Sequence, residues 1–274
     1  MAVIIGCVVY LMVNGSGEFF YTLDDPYIHM ALADNIKDGH YGINANEVSS
    51  PSSSILYPFI LVPFSYFSIE KYAPLVINIF CTFVSLALLK KIISLILSDD
   101  PTLAVRMAWI AFFVLLMSNG IGVIFTGMEH SIQLLLCLFI ILGVVRLSRS
   151  DTVPAYLCAA CVLLPLIRFE GLALTSGTLL LLLYRKKFTP FLIVSSVLFA
   201  VLLGYGLYMN SLGLPMVPSS ILVKISVNGA PANSSFLNSM FVYSVVNFIL
   251  SLKHQSFIIL IMTLFLIIAS DGVV

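Results

Sequence analysis

"TGMEHSIQLLLCLFIILGVVRLSR" runs from Thr126 to Arg149, and its reading decides the fold. The middle of it, Leu134–Val145, is apolar without interruption and without alternation. A strand of a membrane barrel alternates apolar and polar residues, so this run is a helix. One end carries Glu129 and His130; the other carries Arg146 and Arg149. An apolar helix with a cationic end reads as a membrane span with a direction, because cytoplasmic ends gather lysine and arginine.

The rest of the chain has the same character. It is 60% hydrophobic and 9% charged over 274 residues, with a mean hydropathy of +1.09. A soluble domain carries about 25% charged residues. This much apolar surface has no hiding place in one water-facing globule. The expected fold is all-α, a polytopic transmembrane helical bundle whose helices satisfy their own backbones. Apolar runs fall at 1–13, 72–97, 103–125, 131–147, 153–167, 171–184, 188–210 and 256–269, about eight spans. Several fall short of the roughly 20 residues a span needs, so they must share polar ends or thin the bilayer locally. The first run lacks a basic flank and a small-residue cleavage site, and reads as a first membrane helix missing its true start. The last run stops abruptly, so 1–274 reads as a single but shortened module, with no soluble domain and no repeat.

The charges then set sidedness. Lys90 and Lys91, Arg146 and Arg149, and Arg185, Lys186 and Lys187 each follow an apolar run. If the spans alternate, all three clusters share one side, and by charge bias that side is the cytoplasm. The opposite side receives Tyr21–Tyr72, Phe125–His130, Ile167–Gly171 and Gly213–Gln255. Every distinctive polar motif therefore gathers on the outer face. The net charge of zero points to no nucleic-acid partner.

The first outer loop opens "LDDPYIHMALADNIKDG". Asp25 directly precedes Pro26, and this order predicts an aspartate cap, proline at the first helical position and a helix ending near Gly39. Ile28, Leu32 and Ile36 line one side of it. Ser49–Phe67 holds three prolines and many aromatics, and predicts short helices at the interface rather than a span. Adjacent carboxylates repel, which raises the proton affinity of one of them wherever they are partly desolvated. That suits a general base. If Asp25 spends its oxygens on the helix start, Asp24 is the freer base; the plain alternative is a cap beside a solvated neighbour.

Glu129, Arg168 and Glu170 sit at the outer ends of spans, where ionisable groups are costly and face the bundle interior or a pathway. An Arg168–Glu129 pair, an Arg168–Glu170 pair and a phosphate on the arginine fork are all compatible with the residues. Lys224 is a second cation for a phosphate, or an interface lysine with its head in water. His29 lies one turn after Asp25, and His130 adjoins Glu129; both are supporting or substrate-binding candidates. No histidine spacing forms a metal motif, so no metal site is expected and a divalent ion has no support. No cofactor is implied. Cys158 and Cys161 read as apolar filler. Asn14 and Asn233 fit glycosylation sequons. No phosphate-cradling glycine loop occurs, so a donor must arrive already activated in the membrane.

The order of these motifs resembles the GT-C superfamily of integral membrane glycosyltransferases. The likeness is nearest to the bacterial branch with the terminal arabinofuranosyltransferases of mycobacterial cell walls. It rests on Asp24–Ile28, Gly39–Asn44, Ser49–Leu56, Thr126–Glu129, Arg168–Gly171 and Pro218–Lys224. Phe169 stands where that branch commonly has proline, and Ser219 and Ser220 where it has Asn-Thr. The resemblance implies transfer of a sugar from a polyprenyl-phosphate donor to an acceptor hydroxyl of an envelope glycan or glycolipid, at the outer face of the cytoplasmic membrane. It implies Asp24 as base with Asp25 beside it, Arg168 and Lys224 on the donor phosphate, and Glu129, Glu170, His29 and His130 in support. It also implies further C-terminal spans and an outer soluble domain that this chain lacks. The rival expectations are a lipid-linked sugar flippase or transporter, and a non-catalytic subunit of an envelope assembly complex.

Overall fold

The computed structural model describes residues 19–216, apart from positions 45, 68, 98, 99 and 118, together with a few isolated positions before them. The chain divides into two units, Met1–Pro218 and Ser219–Val274. The second lies outside the described residues, and with it Lys224 and the run 256–269. Within the first, the elements are α1 (Asp25–Lys37), α2 (Tyr57–Leu61), two 3₁₀ turns (Val62–Tyr66 and Glu70–Tyr72), α3 (Ala73–Ile96), α4 (Pro101–Met117), α5 (Gly120–Phe125), α6 (His130–Ser150), α7 (Ala155–Ile167), α8 (Gly171–Tyr184) and α9 (Phe188–Ser211). Among the described residues there is no strand.

Among the described residues three helices are long and apolar enough to cross a membrane: Glu70–Ile96, α6 and α9. The chain is therefore a membrane protein by the length and composition of its helices. α7 and α8 have 13 and 14 residues. At about 1.5 Å per residue each rises about 20 Å, short of a hydrocarbon core of roughly 30 Å. The run 103–125, expected as one span, is broken. Asn119 adopts a left-handed conformation (φ 60°) between α4 and α5, a region that asparagine tolerates better than most residues. α5 itself stops at Phe125 with orphan carbonyls. Asn78 of α3, fully buried, answers one of them by donating to the Ile124 carbonyl at 3.2 Å.

The bundle packs α3 on α6, α6 on α7, and α7 on α8 and α9. Its core is apolar: Leu136 and Ile140 of α6, Leu157, Cys161 and Leu164 of α7, and Val194 of α9. Small residues let the helices close up. A Cβ on Gly143 of α6 would lie 2.7 Å from the Leu157 Cβ. Pro165 has no N–H for the carbonyl four residues back. That carbonyl, of Cys161, instead accepts from the Thr175 hydroxyl of α8 at 3.0 Å. One turn later the Leu166 carbonyl accepts from the N–H groups of Ile55 and Leu56, both at 3.0 Å. Thus the first long loop is pinned to the end of α7 by backbone that α7 itself leaves unpaired.

α1 starts one residue differently from expectation. Asp24, not Asp25, holds the cap position, Pro26 is the second helical residue, and the Asp24 carboxylate makes no capping bond. Its carbonyl accepts from the Tyr27 N–H at 3.0 Å. The C-terminus follows the predicted pattern. Gly39 is left-handed (φ 81°), His40 N–H donates to Asn35 at 2.9 Å and Gly39 N–H to Ile36 at 3.0 Å, a Schellman closure. The buried side of α1 is Pro26, His29, Leu32 and Ala33, rotated from the Ile28–Leu32–Ile36 line. α2 is short as predicted but faces inward: Tyr57 and Leu61 pack with Ala33 of α1 and Ala73 of α3.

Candidate functional site

Four stretches that are remote in sequence meet at one end of the bundle. Glu129 occupies the cap position of α6, where the helix dipole favours an anion. Its side chain is fully buried. Arg168 closes α7 in an extended conformation, at the helix end that favours a cation. Its Nη1 donates to Glu129 Oε1 at 3.0 Å. Its Nη2 and Nε donate to Glu170 Oε1 and Oε2 at 3.0 and 3.3 Å. Both arginine–glutamate pairs therefore form together, and among the described residues part of the guanidinium fork stays unspent.

The other contacts come from the first loop. Ser53 Oγ donates to Glu129 Oε1 at 3.3 Å. His29 of α1 places Nε2 3.5 Å from Glu129 Oε2 and Nδ1 3.2 Å from Ser52 Oγ. The edge of its ring meets the Tyr57 ring at 5.1 Å. Tyr57 donates to the Gly127 carbonyl at 2.8 Å, and Ser54 Oγ donates to the Leu166 carbonyl at 3.3 Å. Gly127 is left-handed (φ 67°), and a Cβ there would meet the Tyr21 ring at 2.6 Å and Pro26 at 2.9 Å. The turn before Glu129 must be glycine for α1 to come this close.

Burial by itself would drive the Glu129 carboxyl up. The neighbouring His29 ring, its own backbone N–H and Arg168 outweigh that and hold it at about 2. Burial would lower Arg168, but Glu170 and Glu129 outweigh it and hold the guanidinium above its usual value. Burial also pushes the Tyr57 hydroxyl well up, with the Glu129 charge adding to it. At neutral pH Glu129 is thus a carboxylate and Arg168 a cation.

Asp24 and Asp25 lie beside this cluster, not in it. Both are exposed. They fall between Tyr21 and Pro26, the two residues that pack on Gly127, and one turn ahead of His29. None of the described hydrogen bonds or ion pairs ties their carboxylates to Arg168 or Glu129. His130 opens α6 half-buried. Lys224 lies outside the described residues. A cavity of about 540 Å³ borders the same end, lined by Thr22, Asn119, Gly122, Phe125 and Thr126 among others. Among the described residues no group of three His, Cys, Asp or Glu is arranged to hold a metal ion.

Ser52, Ser53 and Ser54 entered the sequence reading only as part of the Ser49–Leu56 motif, and neither they nor Tyr57 were named as site residues. "SSPSSSIL" reads as a polar loop, and nothing local marks which hydroxyls turn inward. The one available signal was the loop's density of hydroxyls in a chain with few polar groups to partner. No protein-family model, no curated protein and no solved structure matches this chain. The resemblance to the GT-C superfamily accordingly stands on the sequence motifs.

Proposed function

We propose that this protein is a membrane glycosyltransferase that moves a sugar from a polyprenyl-phosphate donor to an acceptor hydroxyl at the outer face of the cytoplasmic membrane. One observation carries the reading. The buried Glu129–Arg168 pair, with His29 and Ser53 on it, sits at the same end of the bundle as the exposed pair Asp24–Asp25. Such an arrangement offers a base reachable by an acceptor, next to a fixed cation. A transporter would place ionisable groups near mid-depth on broken helices; here they collect at the ends of α6 and α7.

The chemistry follows from the residue types. The acceptor oxygen must shed its proton as it attacks the anomeric carbon. Asp24 takes that proton, and Asp25 beside it holds the acceptor. The C–O bond to the phosphate breaks as the new bond forms, and attack from the opposite face inverts the carbon. The departing phosphate meets the unspent part of the Arg168 fork. Glu129 and Glu170 fix the plane of the guanidinium, and His130 stands next to Glu129 for sugar hydroxyls.

The test is transfer of radiolabelled sugar from polyprenyl-phosphate donors to envelope acceptors by the purified protein in lipid nanodiscs. Asp24→Asn is expected to lose about 10²- to 10⁴-fold in rate, the usual worth of a general base. Unchanged transfer in both Asp24→Asn and Asp25→Asn sinks the catalytic assignment. Absence of transfer from every donor, with transbilayer movement of the lipid-linked sugar instead, replaces the enzyme with a flippase.

A further inference from the structure

The cavity beside the aspartate pair has a chemistry of its own. Thr22 forms one part of its wall, and the break between α4 and α5 forms the rest. Its volume of about 540 Å³ falls inside the roughly 300–1,000 Å³ of small-molecule sites. None of the described residues that line it is charged. Ile121, Val123 and Phe125 supply apolar surface. The Thr126 hydroxyl is spent: it donates to the Val123 carbonyl at 2.7 Å and accepts from the Met128 N–H at 3.3 Å. Thr22 and Asn119 are not spent. Both are exposed, and neither side chain has a hydrogen-bond partner among the described residues. Gly122 makes room for the Asn119 amide on this wall, because a Cβ there would run into it.

These features select an occupant. A phosphate or carboxylate finds no cation in the wall. Asp24 stands two residues from Thr22, within about 7 Å along the chain, and its charge repels an anion. A prenyl or acyl chain would cover the Thr22 and Asn119 groups without bonding to them. A neutral sugar satisfies both halves of the wall. Its hydroxyls pair with the threonine hydroxyl and the asparagine amide, and its C–H face lies on the apolar part.

We propose that this cavity binds a neutral sugar, and that this sugar is the acceptor. The binding site stands on the cavity; its role as the acceptor's site rests on the reading given under Proposed function. In that reading the donor phosphate is held at Arg168, which is not among the lining residues. The sugar seated beside Thr22 turns a hydroxyl toward Asp24. That hydroxyl gives its proton to Asp24 as its oxygen bonds to the anomeric carbon and the phosphate leaves. The acceptor is then the uncharged end of a glycan rather than an anionic sugar.

Saturation-transfer NMR on the protein in nanodiscs reads the binding, with neutral methyl glycosides and disaccharides as probes and glucuronate as the charged control. Neutral probes are expected to bind and glucuronate is not. Asn119→Gly keeps a residue suited to the left-handed backbone and removes the amide. It is expected to weaken neutral binding about 3- to 10-fold, the worth of one hydrogen bond. Val123→Phe fills the cavity and is expected to abolish binding; if it fails to fold, Asn119→Gly and Thr22→Val decide. No neutral probe bound by the wild type, glucuronate bound equally well, or affinity unchanged in the variants overturns the site. In the transfer assay Asn119→Gly is expected to raise the acceptor KM by the same factor with the donor KM unchanged. An unchanged acceptor KM overturns the acceptor role. A wild type that binds neutral sugars and transfers none leaves the site standing and removes the transferase reading.

Discussion

The two ends of the bundle each hold an ion pair, and the shorter one is worth less. At the Arg149 end, Lys187 Nζ lies 2.7 Å from Asp151 Oδ2, with the side chains 25% and 70% exposed. Nearby, Arg149 donates to the Ile96 carbonyl and the Arg146 guanidinium lies over the Tyr156 ring. At the Glu129 end, Arg168 lies 3.0 Å from a fully buried carboxylate. Water screens the first pair, and such pairs contribute about 0–1 kcal/mol. The second has given up its water, so removing one partner strands the other. Distance alone does not rank the pairs; what surrounds them does.

That contrast breaks most sharply at Glu129. Glu129→Gln is expected to destabilise the protein by about 3–5 kcal/mol, the cost of leaving a buried partner uncompensated. Denaturant unfolding in detergent micelles measures it, and a loss under about 1 kcal/mol would make the two ends alike. The same pair has a pH signature. Glu129 ionises in the folded protein at about 2 instead of an ordinary 4.5. Its stabilisation is therefore fully present above pH 4.5 and is lost as pH falls through about 2. Unfolding scans across that window should show a loss of stability that Glu129→Gln lacks.

Gly127→Ala probes the same end through backbone rather than charge. A left-handed alanine costs about 1–2 kcal/mol, and its Cβ meets the Tyr21 ring. A total near 2–3 kcal/mol is expected in the same unfolding measurement. A neutral result would mean that α1 does not press on this turn. The smallest effect belongs to the other end. Asp151→Asn should change stability by no more than about 1 kcal/mol, and salt should erase even that.

Much of the helical layout was legible beforehand. The runs 72–97, 131–147, 171–184 and 188–210 fall within a few residues of α3, α6, α8 and α9, because continuous apolar stretches in lipid have only the helix available. The Gly39 closure was legible because a left-handed turn selects glycine. The break at Asn119 was not, since a single left-handed residue leaves hydropathy almost untouched. The site was legible in its charges. Glu129, Arg168 and Glu170 stand out in so apolar a chain, and pairing with either glutamate was open; the structure makes both pairs. His29 was read only as one turn after Asp25; its contact with Glu129 was not legible, because the buried side of α1 is set by Pro26 and Ala33 and not by the line of isoleucines.

By itself the sequence determined a helical membrane protein. Composition is enough for that, because lipid rewards apolar area and leaves the backbone only the helix. Only tertiary structure decided which polar groups lose their water. Ser53 lies 76 residues from Glu129, and Arg168 lies 39 from it. No local pattern encodes those distances. They exist because α7 ends with carbonyls to spare, the serine loop fills them, and the glycine turn lets α1 settle against what remains.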